Sequence, residues 1–271
     1  MGVVNVTPDS FSDGGRFFDP QAAVEQGRRL VDEGAQMLDI GGESTRPGAD
    51  AVPVEEELRR VLPVVEGLAG SGATISIDTS KAAVAAAALD AGASYVNDVT
   101  AFRGDPELAG LVAARGVECC LMHMLGTPRT MQDDPRYEDV VSEVKAFLEQ
   151  RLAFAVAAGV AEERIMLDPG IGFGKTLEHN LELLARLDEI VALGRPVLIG
   201  VSRKAFLGRI TGREPAGRAV ATAAANVLAH ERGASVFRVH DVPETLDALA
   251  VAAATLAGGW PLTPRTTTTT T

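Results

Sequence analysis

Residues 74–98 read TISIDTSKAAVAAAALDAGASYVND, and this stretch holds the unit from which the fold can be predicted. Its ends, Thr74–Asp78 and Tyr95–Asp98, are short and apolar or β-branched, which favours buried strands. The middle, Ala82–Ala91, is alanine-rich and favours a helix, and Gly92 can adopt the left-handed backbone that ends many helices. A strand, a helix and a second strand in this order predict two parallel strands with the helix crossing between them.

The same alternation continues in both directions along the chain. Further strands are predicted at Gly2–Asn5, Gln36–Ile40, Glu118–Met122, Ile165–Asp168, Val197–Val201 and Val236–Val239. The other predicted helices are Gln21–Glu33, Val54–Leu68, Pro106–Arg115, Tyr137–Ala158, Leu177–Leu193, Ala216–Arg232 and Pro243–Leu256. This alternation predicts the α/β class and a single (β/α)8 TIM barrel domain over residues 1–260. A doubly wound open sheet is the alternative, and no dinucleotide-binding fingerprint supports it.

Composition and charge limit what the chain binds. Its 271 residues include 25 Lys and Arg against 37 Asp and Glu, which gives a formal net charge of −12. This acidity argues against nucleic acid or an anionic membrane as a partner, and no apolar run predicts a membrane span. Cys119 and Cys120 are adjacent and lack disulfide or zinc spacing, so we expect a cytoplasmic protein. The threonine-rich tail, residues 261–271, has no core-forming pattern and is expected to be disordered.

Polar or ionisable side chains stand at the C-terminal end of every predicted strand. Long polar loops follow four of these ends, at Val6–Pro20, Gly41–Pro53, His123–Arg136 and Ser202–Pro215. An aspartate after a strand is more often a cap or turn residue, but eight such ends in register favour a site. In a barrel these ends meet at one mouth, where active sites lie. The site is therefore predicted to include Asn5, Asp39, Asp78, Asn97, His123, Asp168, Ser202, Arg203, Lys204, Arg238 and His240.

The chemistry of these residues falls into two groups. The cationic ones, together with Arg46, suit an anion. Four others suit the N–H edge of a flat heterocycle, namely Asp78, Asp168, Asn97 and Asn5. The pattern therefore predicts a nitrogen-rich ring that bears a phosphate. The glycines of Gly170–Gly174 are expected to allow a flat ligand to approach closely. Lys81 is expected to be a solvated residue in the first turn of a helix.

Eight segments resemble the signature motifs of the dihydropteroate synthases, a family of pterin-binding TIM barrels. The first is Asn5–Gly15 (NVTPDSFSDGG) and the second is Asp39–Gly48 (DIGGESTRPG). The others, one to a strand, are residues 77–79, 96–98, 122–124, 168–175, 202–204 and 238–242. Each motif is short, but their common order over most of the chain makes the resemblance specific.

The resemblance implies an activity. Members of the family join 6-hydroxymethyl-7,8-dihydropterin pyrophosphate to p-aminobenzoate, forming 7,8-dihydropteroate and pyrophosphate in folate biosynthesis. It further implies Mg²⁺ as cofactor, these small molecules as partners, a homodimer, and sulfonamides as occupants of the p-aminobenzoate position.

The resemblance also implies a role for each matching residue. Asp78, Asn97, Asp168 and Lys204 would bind the pterin. Asn5, Thr45, Arg238 and His240 would bind the pyrophosphate, with Asn5 beside the metal ion. Thr45, Arg46, Pro47, Phe173, Ser202 and Lys204 would frame p-aminobenzoate. The implied catalytic set is Asp78, Asn97, Asp168, Lys204, Arg238 and His240.

Two other functions remain open on the sequence alone. A methyltetrahydrofolate-dependent methyltransferase would keep the Asp and Asn contacts to a pterin, but it has no use for pyrophosphate ligands such as Arg238 and His240. A non-catalytic paralogue would bind a pterin without turnover, and the intact polar positions argue against such decay.

Overall fold

The structure is a computed structural model that describes residues 1–7, 19–46 and 48–259. Strands β1 to β6 form one parallel sheet in chain order, and β7 pairs in parallel with β8. The strands are β1 (Gly2–Asn5), β2 (Met37–Gly41), β3 (Thr74–Asp78), β4 (Tyr95–Asp98), β5 (Glu118–Met122), β6 (Ile165–Asp168), β7 (Leu198–Ile199) and β8 (Val236–Phe237).

Two isolated bridges close these strands into a ring. Leu167 in β6 pairs with Val197, directly before β7, and Gly2 in β1 pairs with Val239, two residues after β8. The backbone of Val239 reinforces the second closure by donating to Met1 O at 2.9 Å. The predicted (β/α)8 barrel is thus confirmed, and the open doubly wound alternative is wrong.

Helices cover the outside of the barrel, and three of the described ones begin at a residue whose side chain caps them. Asp139 accepts a hydrogen bond from Ser142 N, and Thr176 accepts one from His179 N. Such caps satisfy amides that have no partner within the helix. The helices are α1 (Pro20–Asp32), α2 (Val54–Leu68), α3 (Ala82–Asp90), α4 (Leu108–Arg115), α5 (Val140–Ala157), α6 (Leu177–Ala185), α7 (Leu187–Val191), α8 (Ala205–Thr211), α9 (Ala219–Glu231) and α10 (Val242–Leu256).

Two helical segments differ from the sequence prediction. The segment predicted as one helix over Leu177–Leu193 divides at Arg186, whose backbone leaves the helical region at φ −111° and ψ 30°. The Arg186 guanidinium is held there by ion pairs with three carboxylates, including that of Asp139. The predicted loop Ser202–Pro215 contains α8, which ends at Gly212 in the left-handed region with φ 69°.

Alternation along the strands determines which side chains enter the barrel. Tyr95, Cys120 and Leu198 form a small buried cluster, with Met37 and Met166 packed against it. Because side chains two apart on a strand share a face, Asp39, Asn97 and Asp168 face the same interior one step nearer the C-terminal mouth. The apolar cluster fills the bottom of the barrel and leaves its mouth to polar residues.

Parts of the chain named above lie outside the described residues: most of the Val6–Pro20 loop, Pro47 and the tail from residue 260 onward. Within the described ranges, no helix combines the length and the apolar composition needed to cross a membrane.

Candidate active site

The register of the sheet brings the predicted strand-end residues to one level of the barrel mouth. Asn5 pairs with Gly41, Gly41 pairs with Asp78, and Asp78 pairs with Asn97 on successive strands. Asp168 ends β6 in the same way, paired with Met122 at the end of β5. The side chains that the sequence predicted to converge therefore do so.

An arginine from the last strand crosses the mouth and joins two carboxylates. Arg238 Nε donates to Asp39 Oδ2 at 2.6 Å, and its Nη2 donates to Asp78 Oδ2 at 3.1 Å. Asp39 also accepts hydrogen bonds from Asn97 Nδ2 at 3.0 Å and from Ser76 Oγ at 2.6 Å. Asp39 is fully buried. Its hydrogen bonds join β2 to β3, to β4 and to the residue that follows β8, at the floor of the mouth.

Burial beside a second carboxylate changes the proton affinity of Asp78. Burial and the negative charge of Asp39 raise the pKa of Asp78 to about 8, although the Arg238 guanidinium opposes this. Burial disfavours the charged form of Arg238, but the two carboxylates outweigh it and raise the pKa of Arg238. The mouth therefore holds a permanent cation beside an acid that can carry a proton near neutral pH.

A second cluster forms on the opposite side around β6 and β7. Asp168 Oδ1 accepts from Gly170 N at 2.6 Å, and Lys204 Nζ donates to the carbonyl of Ile171. Lys204 Nζ also lies 4.4 Å from the centroid of the Phe173 ring, which gives a cation–π contact. Burial lowers the pKa of Lys204 to about 8, against the attraction of Asp168. Burial likewise raises the pKa of Asp168, although Gly170 N and Lys204 oppose that effect.

His240 and Ser202 form a pair on the rim. Ser202 Oγ accepts from His240 N at 3.0 Å and lies 2.9 Å from His240 Nδ1. Burial, Arg238 and Arg203 lower the pKa of His240 to about 4, and Arg46 adds to this effect. Arg203 itself is paired with Asp241 through Nε at 2.9 Å.

The remaining predicted residues surround this mouth with fewer fixed contacts. Asn5, at the end of β1, is partly buried. On the loop after β2, Thr45 is partly buried and Arg46 is exposed. Pro47 lies outside the described residues. The loop is held at its base, since Arg60 Nη1 donates to Gly42 O at 2.8 Å.

The structure adds residues to which sequence reasoning gave no role. Asp39 was predicted only as a strand-end residue, yet it accepts from Arg238, Asn97 and Ser76. Lys81 was expected to be solvated, and that expectation is wrong. Its ammonium forms ion pairs with Glu43 and with the fully buried Glu57. The sequence does show the acidic start of α2. It does not show that this turn packs beside Lys81, because the two segments belong to different units of the barrel.

Lys175 is another residue without a predicted role. It is 3% exposed and directly follows the glycine-rich turn. The signal that could have found it is its position next to three glycines, because peptide groups in such a turn need side-chain partners.

Mg²⁺ was implied by the resemblance, so the donor set must be compared with the needs of that ion. Among the described residues, no group of three His, Cys, Asp or Glu side chains is placed to hold a metal. Mg²⁺ commonly takes few protein oxygens and completes its shell with substrate phosphates and waters. The amide oxygen of Asn5, on the mouth beside Gly41, fits one such position.

Comparison with known proteins agrees with this geometry. The profile of the pterin binding enzyme family matches residues 1–240. The dihydropteroate synthase of Mycobacterium leprae is 50% identical over 266 residues, which cover 96% of this chain and 94% of that protein. A probable bifunctional folylpolyglutamate synthase/dihydropteroate synthase of Haloferax volcanii is 49% identical over 254 residues. That match covers 94% of this chain but only 30% of the Haloferax protein.

A solved structure is similar to this chain in its overall fold. The dihydropteroate synthase of Xanthomonas albilineans, in complex with 7,8-dihydropteroate, superposes with a TM-score of 0.85 at 49% identity. The match covers 95% of this chain and 93% of that one. With a family profile over most of its length and relatives of this similarity, the chain belongs to the family of pterin binding enzymes.

Proposed function

We propose that the chain acts as a dihydropteroate synthase, joining 6-hydroxymethyl-7,8-dihydropterin pyrophosphate to p-aminobenzoate with release of pyrophosphate. The observation that carries this proposal is the barrel mouth itself. It combines buried carboxylates and an amide from β2, β3, β4 and β6 with the cations Lys204 and Arg238, which follow β7 and β8. Relatives that match nearly the full chain carry this function in their names.

The pterin subsite is formed by Asp78, Asn97, Asp168 and Lys204. A carboxylate offers about four lone-pair positions, and Arg238 occupies only one on Asp78. Asp168 likewise gives one oxygen to Gly170 N. Both acids therefore retain acceptors for the N–H edge of a pterin, while Lys204 supplies a donor from the other side.

The pyrophosphate subsite is formed by Asn5, Thr45, Arg238 and His240. Arg238 supplies a fixed positive charge at the mouth, and the rim is further polarised by Arg46 near His240. Because His240 is neutral at neutral pH and Ser202 lies at Nδ1, its Nε2–H is available as a donor. Asn5 would hold Mg²⁺, which would supply positive charge to stabilise the leaving pyrophosphate.

The p-aminobenzoate subsite lies between the loop after β2 and the turn after β6. Thr45, Arg46 and Pro47 belong to the loop, and Phe173 to the turn. Ser202 and Lys204 follow β7, and Lys204 contacts the Phe173 ring. The Phe173 ring offers a flat surface for an arene, and Arg46 offers charge for a carboxylate. Sulfonamides, which share the aniline ring, would occupy the same position.

The chain's part in the chemistry is orientation and electrostatics. The amine lone pair of p-aminobenzoate forms the C–N bond at the pterin methylene as the C–O bond breaks. The bonding pair leaves on pyrophosphate, and the amine releases a proton to solvent. Arg238 stabilises the developing negative charge, the acids favour the electron-poor ring, and Phe173 aligns the amine.

A homodimer and a cytoplasmic location complete the proposal. Helices α9 and α10 leave Val220, Leu228, Val251 and Leu256 between 50% and 81% exposed. Apolar side chains exposed on adjacent helices are typical of protein interfaces, and light scattering of the full chain would report a dimer. The cytoplasmic location is supported by Cys119 and Cys120, which are both buried as free thiols.

The test is an assay with dihydropterin pyrophosphate, p-aminobenzoate and Mg²⁺. Pyrophosphate release that requires p-aminobenzoate, stops with a chelator and returns with Mg²⁺ is the expected result. A methyltransferase or a non-catalytic paralogue would show no such release. Asp168→Asn should weaken pterin binding by about 2 kcal/mol, because a charged acceptor is lost. Arg238→Ala should weaken binding of pterin pyrophosphate more than that of p-aminobenzoate.

A further inference from the structure

The turn between β6 and α6 carries the aromatic side chain of the proposed p-aminobenzoate subsite. Gly170, Gly172 and Gly174 adopt positive φ angles of 66°, 84° and 67°. The peptide groups of such a turn have few partners in regular secondary structure, so they depend on side chains. The shape of this turn determines where the Phe173 ring stands.

Three side chains hold the outer part of the turn. Asn180 Oδ1 accepts from Gly172 N at 2.6 Å, and Gln132 Nε2 donates to Gly172 O at 2.8 Å. The hydroxyl of Tyr137 donates to Gly174 O at 2.8 Å. These contacts anchor the outer part of the turn without Lys175.

The inner part of the turn closes around the ammonium of Lys175. Its Nζ lies 2.9 Å from Gly170 O, 3.0 Å from Phe173 O and 2.9 Å from His123 Nδ1. Burial lowers the pKa of Lys175 well below its usual range, although Asp168 opposes this. The three acceptors around Nζ match the three donors of a charged ammonium. In that arrangement His123 Nδ1 is an acceptor, and burial together with Lys175 lowers the pKa of that ring to about 2.

We propose that Lys175 is a positioning residue that sets the Phe173 ring for p-aminobenzoate. The inference rests on the proposed function and assigns a role to a buried side chain that has no place in the proposed subsites. Lys175 holds the carbonyl of Phe173 directly. It also holds Gly170 O, which accepts from Phe173 N at 3.0 Å as well.

The same contacts explain why one substrate depends on Lys175 more than the other. Asp168 fixes Gly170 through its amide, and Asp78 and Asn97 lie on other strands. Lys204 Nζ is held by the carbonyl of Ile171, which is not among the acceptors of Lys175. The pterin contacts therefore do not require the Lys175 ammonium. Phe173 has no comparable second anchor on its carbonyl among the described residues. Loss of the ammonium therefore releases the p-aminobenzoate side of the mouth first.

The experiment measures kcat and both KM values in the full chain carrying Lys175→Met, with Lys145→Met on α5 as the matched control. Lys175→Met should raise the KM for p-aminobenzoate by about tenfold and leave that for pterin pyrophosphate within about twofold. Lys145→Met should match the wild type. A merely structural role would lower thermal stability and leave the ratio of the two KM values unchanged, and that result overturns the proposal.

A second pair of variants covers the case in which Lys175→Met does not fold. His123→Leu removes one acceptor of the ammonium, whereas His123→Asn places an amide oxygen where Nδ1 stands. The KM for p-aminobenzoate divided by the KM for pterin pyrophosphate should rise in His123→Leu. The same ratio should return towards the wild-type value in His123→Asn. An unchanged ratio in His123→Leu overturns the proposal. If the wild-type chain itself lacks activity, the proposed function fails instead, so the two failures are distinguishable.

Discussion

Asp39→Asn tests whether the buried carboxylate of Asp39 holds the barrel mouth together, a role that only the structure reveals. The sequence alone gave Asp39 no ligand role, yet its carboxylate accepts from Arg238, Asn97 and Ser76 at 2.6, 3.0 and 2.6 Å. An asparagine keeps one acceptor oxygen and turns its amide towards the other donors. We expect the variant to lose stability and to bind pterin pyrophosphate poorly.

The magnitude follows from the contacts that are lost. Removing one partner of a buried ion pair costs about 3–5 kcal/mol. Arg238 keeps its contact with Asp78 at 3.1 Å, so the expected loss lies at the lower end, about 3 kcal/mol. Urea unfolding measures this difference, with Ser94→Ala at the exposed foot of β4 as a control. A loss below about 0.5 kcal/mol would refute the central position given to Asp39.

The pH dependence of that loss provides a second readout. The pKa of Asp78 is raised from 3.8 to about 8, so between these values the folded chain holds a proton that the unfolded chain has released. The Asp78 contribution to stability is therefore full below pH 3.8 and falls as pH rises to about 8. The charge of Asp39 causes part of this shift. The loss in Asp39→Asn should accordingly be larger in mild acid than near pH 8, and the reverse order would contradict the assignment.

Three further predictions follow from single contacts. Burial lowers the pKa of Lys204 to about 8, so turnover should decline as pH rises through that value. In Lys204→Met this decline should flatten in initial-rate measurements, and an unaltered decline would contradict the assignment. Lys81→Met leaves Glu57 buried without its cation and should cost about 3–5 kcal/mol in urea unfolding, partly recovered when Glu57→Gln is added. An added Cβ on Gly170 would lie 1.9 Å from His123 O; Gly170→Ala should therefore cost more than about 3 kcal/mol, and a native-like melting temperature would argue against the turn described here.

The barrel was predictable because its signal is local and repeated. The stretch 74–98 already contains two strands and the helix between them, and the structure has β3 and β4 at the predicted bounds. The break at Arg186 was not predictable in the same way, since it depends on carboxylates from α5, α6 and α7. Helix α8 was missed because it is short and lies in a segment that otherwise appears polar.

The sequence was enough to predict where the site lies, but not which of its side chains pair with one another. Alternation along the strands is enough to place Asp78, Asn97 and Asp168 at one mouth. It does not tell which cation reaches which acid, because that depends on how β8 closes against β1. Arg238 thus joins Asp39 and Asp78 on the floor of the mouth, a pairing that spans most of the chain length.

Buried cations were the hardest feature to predict from sequence. Lys81 and Lys175 follow a strand end and a glycine turn, positions where lysine is usually solvated. Their partners, Glu57 on α2 and His123 after β5, come from other units of the barrel. Only the packed structure shows that each ammonium is surrounded by acceptors.

One barrel mouth is expected to bind a pterin between Asp78, Asn97 and Asp168, with p-aminobenzoate beside Phe173. A crystal structure of this chain with 7,8-dihydropteroate would show whether it does. We expect the pterin N–H edge on the carboxylates of Asp78 and Asp168 and the aminobenzoyl ring against Phe173. A product molecule bound elsewhere on the barrel, with these carboxylates untouched, would show that the site is wrongly assigned.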